Sequence, residues 1–435
     1  MRKMRDSGIA WIGVIPQDWE IVRTKSLYCS AKEIAGDRAD DFERLALTLN
    51  GVIKRSKEDS VGLQPEKFSG YQILKKGELV FKLIDLENVA TSRVGLSPYT
   101  GIVSPAYIVL SKQSRAKDLV VRYSMYHFLS MWQREVFNQM GDNGVRSSLN
   151  AKELLNIPHP FPSIYEQKRI VTFLDAQCAE IDAVLEKTRA SIEEYKKLKQ
   201  AVITQAVTKG IRGDRPMKDS GIEWIGDIPE SWEVSSVRYI GQLQNGISKG
   251  GEFFGKGFPF VSYGDVYKNY ELPHSVSGLI DTTEDERATY SVEYGDIFFT
   301  RTSETIEEVG FSCVCKRSIP NATFAGFIIR LRPFCADEKI LTDYAKYYFR
   351  GEHIRAYLVK EMNLVTRASL GQTLLKGMSV IVPPKSVQKE IAEYLDDKCA
   401  DIDALVAKKQ QYLTEIENYK KSLIYEYVTG KKEVV

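Results

Sequence analysis

Residues 166–195 read EQKRIVTFLDAQCAEIDAVLEKTRASIEEY, and residues 387–416 read VQKEIAEYLDDKCADIDALVAKKQQYLTEI. The two stretches align without a gap at an offset of 221. Gln167/Gln388, Ile170/Ile391, Leu174/Leu395, Asp175/Asp396, Cys178/Cys399, Ile181/Ile402 and Asp182/Asp403 are identical pairs. Apolar or semi-apolar side chains recur at Leu174, Cys178, Ile181, Leu185, Ile192, Tyr195 and Val202, in steps of three, four and seven. Leu395, Cys399, Ile402, Val406, Leu413, Ile416 and Leu423 repeat that register. Such spacing is that of a helix whose apolar seam faces another helix. No Pro or Gly interrupts either segment over about 40 residues, so each helix can reach roughly 60 Å. Polar residues break both seams at matching places, Thr188/Lys409 and Lys199/Lys420, and polar residues at seam positions set register and partner. Ordinary packing of each helix inside its own domain is the plainer reading. It leaves two long apolar stripes to be covered, so the spacing predicts a coiled coil of Leu174, Ile181, Leu185 and Ile192 with Leu395, Ile402, Val406 and Leu413.

Working outward, the repetition extends to the front of each half. DSGIAWIGVIPQDWE at 6–20 recurs as DSGIEWIGDIPESWE at 219–233. Just before the helices, Arg146, Ser148 and Leu149 match Arg367, Ser369 and Leu370 at the offset of 221. A Gly/Pro-bearing linker, GIRGDRP at 210–216, separates the halves. The predicted organisation is an α+β chain in four parts. A mixed β-rich domain with the first shared segment spans 1–155, and a long helix spans 156–213. A second such domain spans 214–376, and a distal long helix spans 377–435. GELVFKLI, GDIFFTRT, YIVL and FIIRL read as strands, whereas SMYHFLSMWQREVF and DYAKYYFRGEHIRAYL have helical spacing. IPHPFPS and IVPPKS carry prolines near a strand end and read as rigid connections into the long helices. Within the inserts only turn glycines and strand residues keep their match: Asn50-Gly51 against Tyr263-Gly264, Gly77 against Gly295, Gly95 against Gly310. A shared scaffold carrying different loops is where recognition is normally placed.

Bulk properties exclude several classes. A chain of 435 residues exceeds one ordinary core. The net charge of +2 is a weak signal for nucleic acid, so any DNA-binding basic residues must be concentrated locally. No apolar run approaches a membrane span, and the six cysteines over this length read as reduced thiols in a cytoplasm. The stretch GGEFFGKG lacks the Ser or Thr that completes a phosphate loop. The four histidines and Cys313/Cys315 lack metal-site spacing, and no methylation motif precedes the prolines, so no catalytic residue, metal or cofactor is expected.

What remains is polar, basic and aromatic loop chemistry. In the first insert the candidates are Asn50, Lys54, Arg55, Lys82, Asp85, Asn88, Arg93, Arg146 and Ser148. In the second they are Tyr263, Asp265, Lys268, Arg301, Thr302, Ser303, Arg367 and Ser369. Arg pairs with guanine, Asn with adenine, and Asp accepts from cytosine, while Lys and Ser hold phosphates. Any one of them taken alone reads as a solvated surface side chain; recurrence in matching loops of both halves carries the argument.

The whole chain resembles the specificity subunit of a type I restriction-modification system. The residues carrying the resemblance are the two DSGIxWIGxIPxxWE segments, the two QKxIxxxLDxxCAxID helix starts, and the helix ends ITQAVTKG and IYEYVTGKK. It implies two target recognition domains, each reading one half of an asymmetric bipartite site on double-stranded DNA. It further implies an internal pseudo-twofold repeat, with the long helices antiparallel between the domains and fixing the unread gap. Those helices would dock two modification subunits, which hold S-adenosylmethionine. Restriction subunits, which use ATP and Mg, would join them, and this chain itself would be non-catalytic. A stand-alone two-domain DNA-binding regulator is the alternative, and a protein-binding coiled-coil scaffold a further one. The three separate on partner dependence and on salt-dependent DNA affinity.

Overall fold

The computed structural model describes residues 2–59, 67–84, 86, 93–140, 148–213, 215–303, 309–361 and 368–434. Contacts divide the chain into two compact units, Met1–Arg189 with Gln411–Val435, and Ala190–Gln410, so the division falls inside each long helix.

The strands of the first unit are β1 (Met4–Asp6), β2 (Val14–Pro16), β3 (Glu20–Arg23), β4 (Tyr28–Cys29), β5 (Arg44–Thr48), β6 (Gly51–Arg55), β7 (Gln72–Leu74), β8 (Leu79–Phe81), β9 (Val94–Leu96), β10 (Gly101–Val103), β11 (Ile108–Lys112) and β12 (Pro158–Phe161). Its helices are α1 (Thr24–Leu27), α2 (Val121–Gln133), α3 (Val136–Met140), α4 (Ala151–Asn156) and the start of α5 (Ile164–Lys209). Two four-stranded sheets run in the orders β6-β5-β10-β7 and β4-β11-β8-β9. All three residues of β8 are buried, because α2 and the sheet β6-β5-β10-β7 cover its two faces. The shared segments meet: β3 pairs antiparallel with β12, Glu20 opposite Phe161.

The second unit contains β13 (Met217–Asp219), β14 (Asp227–Pro229), β15 (Glu233–Ser236), β16 (Gly241–Asn245), β17 (Phe254–Val261), β18 (Gly278–Ile280), β19 (Ile297–Thr300), β20 (Thr302–Ser303), β21 (Ser312–Val314), β22 (Thr323–Phe324), β23 (Ile328–Pro333), β24 (Ala368–Ser369) and β25 (Ser379–Val382). Its helices are α6 (Tyr263–Lys268), α7 (Glu284–Thr289), α8 (Thr342–Tyr348), α9 (Glu352–Glu361), α10 (Gln372–Gly377) and the start of α11 (Lys385–Val428). The sheets are β16-β23-β19-β21 and β18-β17-β22, and β15 pairs with β25, Glu233 opposite Val382.

The strongly matched residues of the long helices have identifiable work. Gln167 is fully buried; its Oε1 accepts from Val120 N–H, and its Nε2 donates to Asp118 and Pro162 carbonyls. Gln388 likewise accepts from Leu341 N–H and donates to Lys339 and Pro383 carbonyls. A buried amide satisfied on both sides fixes the loop entering α2 or α8, and an apolar replacement orphans those groups. Asp175 accepts from Tyr126 Oη at 2.6 Å, and Asp396 from Tyr347 Oη at 2.7 Å. Leu174, Ile181, Leu185 and Ile192 are buried, as are Leu395, Ile402 and Leu413, with Val406 half-buried. Beyond Ile192 the buried row turns toward Ile203, Ala206 and Val207, so the position expected at Val202 is filled by Ile203.

Charged contacts run between the helices inside each unit. In the first, Lys420 Nζ donates to Asp182 at 2.6 Å and Arg189 to Glu417 at 2.6 Å. In the second, Lys199 Nζ donates to Asp403 at 2.6 Å, and Arg212 Nε to Glu390 at 2.9 Å.

The duplicated tryptophans also have a common task. Trp19 and Trp232 are buried. Each lies against the glycine that ends a long helix in the left-handed conformation, Gly430 (φ +69°) over Trp19 and Gly210 (φ +81°) beside Trp232. The Trp19 indole donates to Glu166 at 2.9 Å.

One expectation is corrected. The match of Asn50-Gly51 with Tyr263-Gly264 equates a hairpin turn into β6 with the start of helix α6. Ser262 and Asp265 form a capping box there, and that local chemistry starts a helix where the first unit makes a strand. The prolines of IPHPFPS and IVPPKS lie in or just after strands β12 and β25, as expected of connections near a strand end. Among the described residues, no helix is long and apolar enough to cross a membrane.

Candidate nucleic-acid interface

In the second unit, one end of the sheet collects the candidate residues. Strand β16 leaves that end at Asn245, opposite Ile329 at the start of β23, while β19 leaves it at Thr300, opposite Ile328. Strand β17 also finishes there: Val261 pairs with Phe324, and the helix α6 begins directly after it. Arg301 follows Thr300 and is held by its backbone in both directions, its N–H donating to Phe327 carbonyl at 2.8 Å and its carbonyl accepting from Leu370 N–H at 2.7 Å. Thr302 pairs with Ser369, and Ser303 with Ala368, in a short antiparallel ladder. Tyr263, Arg301, Thr302 and Ser369 are thereby brought to one place from three separate stretches of chain.

The chemistry of each residue is now specific. Arg301 and Thr302 are half-buried, Ser369 is exposed, and Lys268 is exposed on the last turn of α6. Tyr263 stacks on Tyr267 at 5.9 Å between centroids. Asp265 is engaged in capping, accepting from Ser262 N–H at 2.8 Å and Oγ at 2.7 Å, so its carboxylate first serves the helix. Arg350, buried by its surroundings, donates to the carbonyls of Ser312, Val266 and Asn269, fixing α6 against β21. Burial lowers the pKa of that guanidinium, and three carbonyl acceptors hold its charge. Sequence reading missed Asn245, Phe327 and Gln372, which share this end. Gln372 Nε2 donates to Asn245 Oδ1 at 2.9 Å. Their signal was present only as polar or aromatic residues beside turn glycines.

The first unit spreads its candidates more widely. Asn50 is exposed at the β5–β6 turn, and its N–H donates to Thr48 Oγ1. Lys54 and Arg55 lie back along β6, opposite Leu45 and Arg44. Both are already paired, Lys54 with Glu43 at 2.6 Å and Arg55 with Asp59 at 2.7 Å. The hydrogen bonds to those carboxylates raise the pKa of each cation. Lys82 directly follows β8 and is half-buried, and Ser148 bridges to Ile84. Arg93 departs from its expected place on a reading loop: its side chain is 0% exposed, and its guanidinium donates to Ile84 carbonyl at 3.4 Å. Asp85, Asn88, Arg146 and Arg367 lie outside the described residues.

The position held by Arg301 in the second unit, whose carbonyl accepts from Leu370, is held in the first by buried Leu83, whose carbonyl accepts from Leu149. One framework contact therefore presents a guanidinium in one unit and an apolar core residue in the other. Among the described residues no group of His, Cys, Asp and Glu is arranged to hold a metal.

Comparison with known proteins places this geometry. Residues 229–417 match the type I restriction modification DNA specificity domain family. The type I restriction enzyme MjaVIII specificity subunit of Methanocaldococcus jannaschii is 24% identical over 97% of this chain and 94% of its own length. The EcoKI specificity subunit of Escherichia coli is 24% identical over 64% of this chain and 58% of its own. A solved chain, from a study of complex assembly and conformational transition in a type I R-M system, has the same fold. Its TM-score is 0.69 at 15% identity, covering 96% of this chain and 99% of that one. The chain is therefore related over nearly its whole length to type I specificity subunits.

Proposed function

We propose that this chain is the DNA sequence-specificity subunit of a type I restriction-modification complex, reading a bipartite, asymmetric site. The near full-length relationship to specificity subunits carries the reading. The first unit reads one half-site through the turn at Asn50 and the segment from Lys82 to Ser148. The second reads the other through Tyr263, Arg301, Thr302 and Ser369. Asymmetry follows from chemistry: Arg301 in one unit and Leu83 in the other cannot read the same base edge.

The long helices pair as an antiparallel coiled coil within a pseudo-twofold repeat. Support comes from the charged contacts. Asp182 with Lys420 and Asp403 with Lys199 are one pair written twice, since 182 and 403, and 199 and 420, are matched positions. Within each unit the partner's number falls as the helix residue's number rises, 182/420 then 189/417 in the first and 199/403 then 212/390 in the second, which is the order of opposed chains.

Two modification subunits dock on a row flanking the seam. Val184, Tyr412 and Tyr419 are exposed in the first unit, and Leu198 and Leu405 in the second. All five stand one residue before a seam position, and Val184/Leu405 and Leu198/Tyr419 are matched pairs. Repeated exposed apolar rows of this kind are interaction surfaces. S-adenosylmethionine, ATP and Mg belong to the partner subunits.

The test is to map methylated adenines across the host genome with and without this chain. One bipartite motif that vanishes on deletion is expected, and Arg301→Ala should relax one half of it. An unchanged motif on deletion refutes the proposal.

A further inference from the structure

Phe327 is 63% exposed, yet its backbone belongs to one of the most constrained turns in the second unit. The turn from β22 to β23 is Ala325, Gly326 and Phe327. Gly326 N–H donates to Ile247 carbonyl at 2.8 Å, and a Cβ on Gly326 would fall 2.1 Å from Ser248 Oγ. A Cβ on Gly246 would fall 2.2 Å from Ala325 carbonyl oxygen. Two glycine-bearing loops interlock here: a side chain on Gly246 would strike backbone, and one on Gly326 would have to displace the Ser248 hydroxyl. Phe327 carbonyl accepts from Arg301 N–H, and Gly326 carbonyl accepts from Arg301 Nη1 at 3.5 Å.

Single exposed apolar residues are ordinary. This one differs in being held rigid beside a guanidinium and an amide pair, Asn245 and Gln372. A rigid aromatic loses little entropy on contact, and Arg, Asn and Gln together are the side chains that read base edges in the major groove. The apolar feature in that groove is the C5-methyl group of thymine. In the first unit, the residue before β11 is Tyr107, packed partly into the core, with its carbonyl accepting from Gln72. The exposed aromatic is therefore particular to one half-site.

We propose that Phe327 reads a thymine methyl group in the half-site recognised by the second unit. This rests on the specificity-subunit reading. The test replaces each thymine of that half-site with deoxyuridine, which removes the methyl alone, and measures binding of the assembled complex at fixed salt. Wild type should lose about fourfold at one position, the worth of one buried methyl. Phe327→Ala should show the same loss on thymine DNA and indifference to the replacement, while Phe327→Leu keeps the preference. Phe327 being exposed, these variants should fold. If Phe327→Ala weakens thymine and deoxyuridine DNA equally, or no position responds in wild type, the inference fails. In either case a motif still relaxed by Arg301→Ala leaves the specificity-subunit reading standing, whereas a motif insensitive to deleting the chain removes both.

Discussion

The two glycines that end the long helices offer a matched pair of perturbations. Gly430 has φ +69° and Gly210 φ +81°, so alanine at either site bears the left-handed penalty, about 1 kcal/mol. The surroundings then separate them. A Cβ on Gly430 would lie 2.5 Å from Pro16 Cγ and Cδ and 2.9 Å from Trp19, two buried rings that cannot yield freely. On Gly210 the nearest atom, of Trp232, is 3.3 Å away, a contact eased by a few tenths of an ångström. Overpacking of the first kind adds about 1–3 kcal/mol. The expected losses are about 2–4 kcal/mol for Gly430→Ala and about 1 kcal/mol for Gly210→Ala. Calorimetry of the full chain should show them as drops of about 4–16 °C and about 2–4 °C. Adding Pro16→Ala to Gly430→Ala should recover part of the clash and none of the backbone penalty. Equal melting shifts for the two glycines would refute the claim that the opening segment seats the helix end at Trp19.

Tyr419→Glu and Leu405→Glu alter exposed side chains, so melting should change by less than about 0.5 kcal/mol. Complex mass should show each variant losing one modification subunit, and two retained subunits would remove the flanking row as the docking surface. Leu185→Asp should destabilise by about 3–5 kcal/mol and half-buried Val406→Asp by about 1–2 kcal/mol, read as denaturation midpoints and complex yield; normal assembly of both counts against the coiled coil. His159 is buried, its Nε2 on Ser124 Oγ at 2.9 Å, and burial pulls its pKa down to about 4. Burial, and then His159 beside it, also lower His127. The unfolded chain takes up protons below about pH 6.5 that the folded chain refuses, so stability falls from there toward pH 4. For His159 the loss is about 1.4 kcal/mol per pH unit. Melting at pH 7 and pH 5 should reveal it, and His159→Val, the residue found at matched position 380, should flatten the slope.

Part of this architecture is written in one dimension. Sequence alone placed both long helices, because a seven-residue apolar period without Pro or Gly admits few other conformations, and structure runs them from Ile164 to Lys209 and from Lys385 to Val428. It also marked Gln167/Gln388 and Asp175/Asp396 as matched, though not why. The reason is tertiary: each buried amide meets backbone groups about 50 residues away, such as Val120 and Leu341, and each carboxylate meets a tyrosine hydroxyl at a like separation, Tyr126 or Tyr347. The place of the candidate Arg301, directly after a strand that ends in a polar turn, was legible in sequence. Burial decided at Arg93, since an arginine beside a strand carries no local sign that it will be buried. Phe327 was invisible for the opposite reason, an aromatic beside a buried strand that reads as core until two interlocked glycine loops hold it in solvent. Periodicity is local and survives in sequence; exposure is set by what packs on top, and only the folded chain decides that.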